Sequence, residues 1–459
     1  MNARAVRLIP PLETYPGMVA FAQKLPGKVL LLAGFTALLS RLSQSWLLVT
    51  PFLVLAAFIP SAHRRTLVAA GTLVVAFVLP LRAGGGLNAL AGPGLVFLFG
   101  AGMYLAARRF SRSPLFARPV LLLLGLAAAY LIIVGARPGL FPAGGLAWSV
   151  AGAVCQYQWF IGYALLDRMA QPPEPVWKQV GTFAPFWGST AVPFPKGASN
   201  WRRIEARTPE ALAISQLKGL KLMLWAVMLA VGFVGFQRAA HQGLGVLSMN
   251  DTLLALARGA PLGTGASWAV ILCDFLERLF EITIGGHVII ACCRMAGFAA
   301  LRNTHRPFAA RNVADFWNRY NYYFKELAVE FFYYPTFLRY FKRRPRLRRI
   351  FAVFATACFG NLYYHFVRES RWIEKLGFFE ALRAMDVYAV QCILLAVAIS
   401  VSQARRTGPQ GKGWLRARAL PLATVVISYC LMFAFVDEEF VFPMRVHLRF
   451  FARLLGIPA

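Results

Sequence analysis

The stretch Ile350-Phe351-Ala352-Val353-Phe354-Ala355-Thr356-Ala357-Cys358-Phe359-Gly360-Asn361-Leu362-Tyr363-Tyr364-His365-Phe366-Val367 decides the fold. It contains no Asp, Glu, Lys or Arg, and it is long enough to enter a membrane as a helix. The basic belt Arg339–Arg349 stands directly before it. Positive residues beside a span stay on the cytoplasmic side, which fixes the expected orientation. An imidazole, His365, lies towards the end of the apolar run. A strongly polar group at membrane depth is costly, so it marks a functional site by default.

The rest of the chain has the same character. Of 459 residues, 58% are hydrophobic and only 15% charged, where a soluble protein carries about 25% charged residues. Mean hydropathy is +0.56. The fold expected is all-α: a single polytopic membrane domain over 1–459, with about ten or eleven transmembrane helices and some interfacial ones. The net charge of +30 comes from 49 Lys+Arg against 19 Asp+Glu. These cations fall between apolar runs, as in loops facing anionic lipid, so the expected partners include membrane lipids and exclude nucleic acid. The seven cysteines sit mostly inside apolar runs, without metal-ligand spacing, and read as small packing residues. No cleaved signal is expected in Met1–Lys28.

Apolar runs follow one another from Val29–Leu39 through Trp46–Ile59, Leu67–Leu81, Leu87–Ala107, Val120–Val134 and Leu146–Leu166. The proline-rich interval Gln171–Gln216 then reads as a loop with short interfacial helices. Leu217–Phe236 and Trp268–Ala300 are the next spans, and Val387–Val401 and Leu420–Phe435 follow the His365 helix. In Trp268–Ala300, Asp274, Glu277 and Glu281 share one helical face. They read either as an ion-pair network with Arg278 or as a polar path or chamber wall. Arg445–Leu455 reads as a short amphipathic tail.

Upstream of the belt, Asp315-Phe316-Trp317-Asn318-Arg319-Tyr320-Asn321 leads, through a segment dense in aromatic and basic residues, to Tyr333-Tyr334-Pro335. Such density suits a helix at headgroup level. The pattern Phe316-Trp317-x-Arg319-Tyr320-Asn321 with Tyr333-x-Pro335 resembles the signature of the membrane-bound O-acyltransferase (MBOAT) family, in its bacterial, alginate O-acetylase-like branch. Asn303-x-x-Arg306-Pro307-Phe308, Asp274-Phe275 and the later His365 are similar to further marks of that family. The resemblance is sharp within the core 266–370. Two positions depart from it: Tyr320 replaces the usual Trp, and Asn321 stands where the bacterial acetylases carry His. Around His365, Tyr364-His365-Phe366 stands where W-H-G is usual.

The resemblance implies a membrane-embedded acyltransferase of the bacterial inner membrane. Such an enzyme moves an acyl group from a thioester donor, acyl-CoA or an acyl carrier, to a hydroxyl of a saccharide or a lipid; no bound cofactor or metal is expected. It makes His365 and Asn321 catalytic. Trp317, Arg319, Tyr320, Lys325 and Tyr364 become the residues around the substrates. The chemistry agrees with the residue types. Imidazole is the side chain suited to take a hydroxyl proton near neutral pH. An amide cannot titrate, which leaves Asn321 to position a reacting group or to stabilise developing charge. A secondary transporter or channel built on Asp274, Glu277 and Glu281, or a non-catalytic lipid-binding relative, are the alternative readings. The sequence holds no P-loop, G-x-S-x-G, H-E-x-x-H or G-x-G-x-x-G, so phosphate-driven transport, triad hydrolysis, zinc hydrolysis and dinucleotide binding lack support.

Overall fold

At membrane depth every backbone N–H and C=O must be bonded within its own segment, which makes helices the natural state of these runs. The computed structural model describes residues 8–458 except 83, 85, 138, 189–191, 369, 405–414 and 438–440. Among the described residues there is no strand, only an isolated bridge between Glu205 and Phe298. The protein is an all-α, multi-pass membrane protein. Among the described residues, seven helices are long and apolar enough to cross a bilayer: Leu25–Leu42, Ser61–Arg82, Leu87–Arg109, Pro119–Ala136, Pro209–Gly243, Pro345–Arg368 and Asp386–Ala404. That is fewer than the ten or eleven expected from apolar runs, for two physical reasons. Trp46–Phe58 and Leu420–Phe433 are apolar but short. Leu146–Leu166 and Thr264–Met295 are long enough, but they carry glutamines or charged residues inside the helix.

The chain forms two compact units. The first comprises Met1–Leu123, Gln156–Ala230 and Ile284–Arg302; the second comprises Leu124–Cys155, Val231–Thr283 and Asn303–Ala459. In the first unit, the proline-rich interval is loop with short helices, Val176–Val180 and Ala198–Ile204, as expected, and its aromatic rings turn inward. Phe183, Phe186, Trp187 and Trp201 are all buried, and the Trp187 ring lies 5.1 Å from that of Trp201 and 5.6 Å from that of Phe298. Ion pairs hold the same region: Arg65 reaches Glu174 at 2.8 Å and Glu205 at 3.2 Å. Burial raises the Glu205 carboxyl above its ordinary range, against the opposing pull of Arg65 and Arg64. Prolines and charges mark this interval as irregular in sequence, but its aromatic side chains give it a packed interior.

The second unit carries the motif. Its helix Val313–Tyr320 starts at Asn312, whose side chain accepts the N–H of Asp315 at 2.8 Å, a normal N-cap. Asp315 in turn holds Arg319 at 2.8 Å. The aromatic rings of this segment pack largely inward. Phe316, Tyr320, Tyr323 and Phe324 are buried, because Phe316 stacks within 4.4 Å of Tyr429 and 5.9 Å of Phe275. The C-terminal amphipathic segment forms the helix Met444–Leu454. Its His447, which sequence placed in a polar stretch, is fully buried with Nδ1 2.8 Å from the carbonyl of Ala434.

Two π-helical segments, Val329–Tyr333 and Phe354–Gly360, meet where the His365 helix begins. Wide turns of this kind are frequent at functional sites. At Gly360 a Cβ would stand 2.6 Å from Cδ2 and 2.7 Å from Cγ of Phe332, at the base of the ring. Gly360→Ala therefore sets two effects against each other. Alanine gains up to about 1 kcal/mol in helix propensity, while overpacking a filled contact costs about 1–3 kcal/mol. We expect the clash to win, with a lower unfolding midpoint in detergent and a shifted Asn361–His365 turn. A variant as stable as the parent would show that Phe332 yields freely.

Candidate functional site

Asn321 lies at a break between two short helices, Val313–Tyr320 and Tyr322–Ala328. Residues 303–305 clamp that break. The Asn303 carbonyl accepts the Tyr322 N–H at 2.9 Å, and its side-chain Oδ1 accepts the Tyr323 N–H at 3.2 Å. Thr304 Oγ1 donates to the Tyr320 carbonyl at 2.8 Å, and the His305 N–H donates to the Arg319 carbonyl at 2.9 Å. Two end carbonyls of one helix and two starting N–H groups of the next are thus paired by protein groups. Arg306, just beyond, takes a left-handed φ of 49° and turns the chain into Pro307. The Asn303-x-x-Arg306-Pro307 pattern thereby has a physical task, which is to hold the backbone on which Asn321 stands.

His365 reaches the same place from Asn361–Arg368, the last part of the Pro345–Arg368 span. Its ring contacts are aromatic: Tyr388 at 4.9 Å, Tyr364 at 5.4 Å and Phe324 at 6.3 Å between centroids. Asn321 and His365 line one cavity of about 290 Å³ within the second unit. Trp317, Tyr320 and Tyr364 line it as well. Of the seven residues expected at the site, five are therefore brought together. Arg319 and Lys325 are not on this cavity. Arg319 is held by Asp315. Lys325 pairs with Glu326, lies 4.9 Å over the Tyr322 ring, and lines a second cavity of about 190 Å³ that shares Trp317 with the first.

The acidic face of Thr264–Met295 is divided by its partners. Asp274 pairs with Arg278 at 2.8 Å, and Glu277 with His241 at 3.0 Å. The Arg278 guanidinium lies 5.7 Å over the Phe433 ring. Arg278 and Glu281 both line the first cavity. Two of the three acids thus belong to internal ion pairs, as polar groups in a membrane protein usually do.

Sequence reasoning missed the cavity's other wall. Tyr388, Gln391 and Leu395 come from one face of Asp386–Ala404, and Tyr429 comes from Leu420–Phe433. Both helices read as plain apolar spans. The available signal was a polar residue placed one turn from another on a helix otherwise made of aliphatic residues. Asn361, one turn before His365 on the same helix, lines the cavity as well.

No protein-family model matches the chain, and no curated protein matches it in sequence. The class is set by the fold and the cavity together: a multi-pass, all-α membrane protein whose second unit holds a cavity lined by aromatic and polar side chains, with an imidazole on its wall.

Proposed function

We propose that the protein is a membrane-embedded O-acyltransferase of the bacterial inner membrane, similar to the membrane-bound O-acyltransferases, with His365 as general base and Asn321 beside it. The observation that carries this reading is the convergence of Asn321 and His365, far apart in sequence and on separate helices, on one cavity. In the reaction, His365 takes the proton of an acceptor hydroxyl as its oxygen attacks the carbonyl carbon of an acyl thioester. The new C–O bond forms and the C–S bond breaks. The departing thiolate receives the proton from the imidazolium, so the histidine ends neutral. Asn321 supplies an amide to the reacting carbonyl or hydroxyl. Enclosure by Trp317, Tyr320 and Tyr364 limits hydrolysis of the thioester.

Arg319 and Lys325 are committed to Asp315 and Glu326. In this reading, phosphate groups of a coenzyme A or carrier-protein donor fall instead to the exposed Lys342, Arg343, Arg344, Arg346 and Arg349. The acceptor is a hydroxyl of a saccharide or a lipid. The test is purified protein in nanodiscs with radiolabelled acetyl- and long-chain acyl-CoA and a panel of hydroxyl acceptors. Thioester loss that depends on the acceptor supports the reading. No consumption with any pair defeats it.

A further inference from the structure

The plane of an imidazole is set by a broad, roughly two-fold torsion. A histidine that serves as a base therefore needs an outside constraint before one nitrogen points steadily at a reactant. In triads a carboxylate supplies it by accepting a bond from the second ring nitrogen. Among the described residues no protein group bonds either nitrogen of His365, and its side-chain partners are three aromatic rings. Glu281, the acid among the residues lining the cavity, makes no bond to it.

The three rings are not equivalent. Tyr388 is the nearest, 4.9 Å between centroids, and its plane is inclined 32° to the imidazole, closer to a stack than to an edge contact. Tyr364 meets the imidazole at 89° and Phe324 at 64°, both as edge contacts. Tyr364 also precedes His365 on the same helix, and Phe324 is the most distant of the three at 6.3 Å. Tyr388 comes instead from the first turn of Asp386–Ala404 and is only 5% exposed, so its ring is itself fixed by packing. We propose that Tyr388 is a positioning residue of this site: its ring sets the plane of the His365 imidazole from a second helix and takes up part of the charge when that imidazole becomes imidazolium. The charge-sharing step rests on the acyl-transfer reading; the positioning of the ring does not.

A stack of this kind leaves both nitrogens to the reactants. One receives the proton of the acceptor hydroxyl, and the other keeps the hydrogen it already carries. With no carboxylate to choose between them, the entering substrate selects the tautomer, while the plane is fixed beforehand. Once protonated, the ring is a cation beside an aromatic face, and the quadrupole of that face attracts it. This attraction grows as the proton arrives and is absent from the neutral ground state, so it acts on rate and not on binding. The ring face supplies both effects. Phenylalanine at 388 would preserve them and an aliphatic side chain would not.

The experiment has two arms, both on the full-length protein in nanodiscs. The first is a proton–carbon NMR spectrum of protein with ¹³C-labelled histidine, in which the His365 ring signals are those missing from His365→Ala. An imidazole stacked on an aromatic face resonates upfield of an exposed one. Upfield signals are expected in the parent and in Tyr388→Phe, and a return towards the exposed position in Tyr388→Leu. The second arm is steady-state acylation. Tyr388→Leu should lower kcat by about 10²-fold, the cost of misplacing a reacting group by about 1 Å, with KM for both substrates little changed. Tyr388→Phe should recover most of that loss, a rescue that a merely structural role would not produce. His365 signals at the exposed position in the parent overturn the proposal, and that measurement needs no substitution, so it decides even if Tyr388→Leu does not fold. Upfield signals that stay in place in Tyr388→Leu overturn it too, as does full turnover by that variant or a Tyr388→Phe protein equally slow. If the signals move as expected but no thioester is consumed, the acyl-transfer reading fails and the positioning of His365 by Tyr388 stands.

Discussion

Replacing His365 with alanine should lower kcat for acyl transfer by about 10²–10⁴, the usual contribution of a positioned general base. The geometry makes this a clean substitution. The imidazole is held by the rings of Tyr388, Tyr364 and Phe324, and none of those contacts crosses the chain's main ion pairs. The variant should therefore insert and purify normally, losing about 1 kcal/mol of stability, the centre of the range for point substitutions. Because the base acts on the proton that moves in the transition state, kcat and kcat/KM should fall together while KM for the donor changes little. Steady-state kinetics with saturating thioester measures this. Retention of full turnover by a folded His365→Ala protein would remove the mechanism, whatever residue then served as base.

Asn321→Ala should cost about 10²–10³ in kcat if its amide stabilises the developing oxyanion. Its side-chain oxygen is enclosed and unpaired, so the substitution removes no internal bond. The main-chain clamp from Asn303, Thr304 and His305 leaves the side chain out of the local hydrogen bonding, so the break between the two short helices should persist. Loss of rate at unchanged melting temperature is thus the expected pair of results. A large drop in melting temperature with turnover intact would assign Asn321 to structure. The conservative Asn321→Asp change separates charge from shape. A carboxylate there would oppose a developing oxyanion, so it should be at least as slow as alanine.

The apolar spans were legible because a span is written as a local run. Leu87–Ala107 in the sequence became the helix Leu87–Arg109, and Ile350–Val367 became the end of Pro345–Arg368. Asn321, His365, Trp317, Tyr320 and Tyr364 were legible for a different reason, since they fall on the motif positions that the family resemblance marks. Gln391, Tyr388 and Tyr429 were not, because each is a single polar interruption whose direction is set by how its helix packs. The interval Gln171–Gln216 was legible only in part. Its prolines announce irregular backbone correctly, but they carry no information about whether Trp187 and Trp201 face lipid, water or each other. Arg319 and Lys325 show the same limit: each stands beside the motif, yet each pairs with an acid one turn or one residue away and lies off the His365 cavity.

The clamp around residue 321 has an evolutionary consequence. Every bond that fixes this position is made to the main chain of its neighbours, at the carbonyls of Arg319 and Tyr320 and the N–H groups of Tyr322 and Tyr323. The mould therefore specifies a location and leaves the side chain at 321 exchangeable. A lineage can trade a non-titrating amide for an imidazole there by a single codon change, trying a new proton inventory in an old chamber without first relearning how to fold.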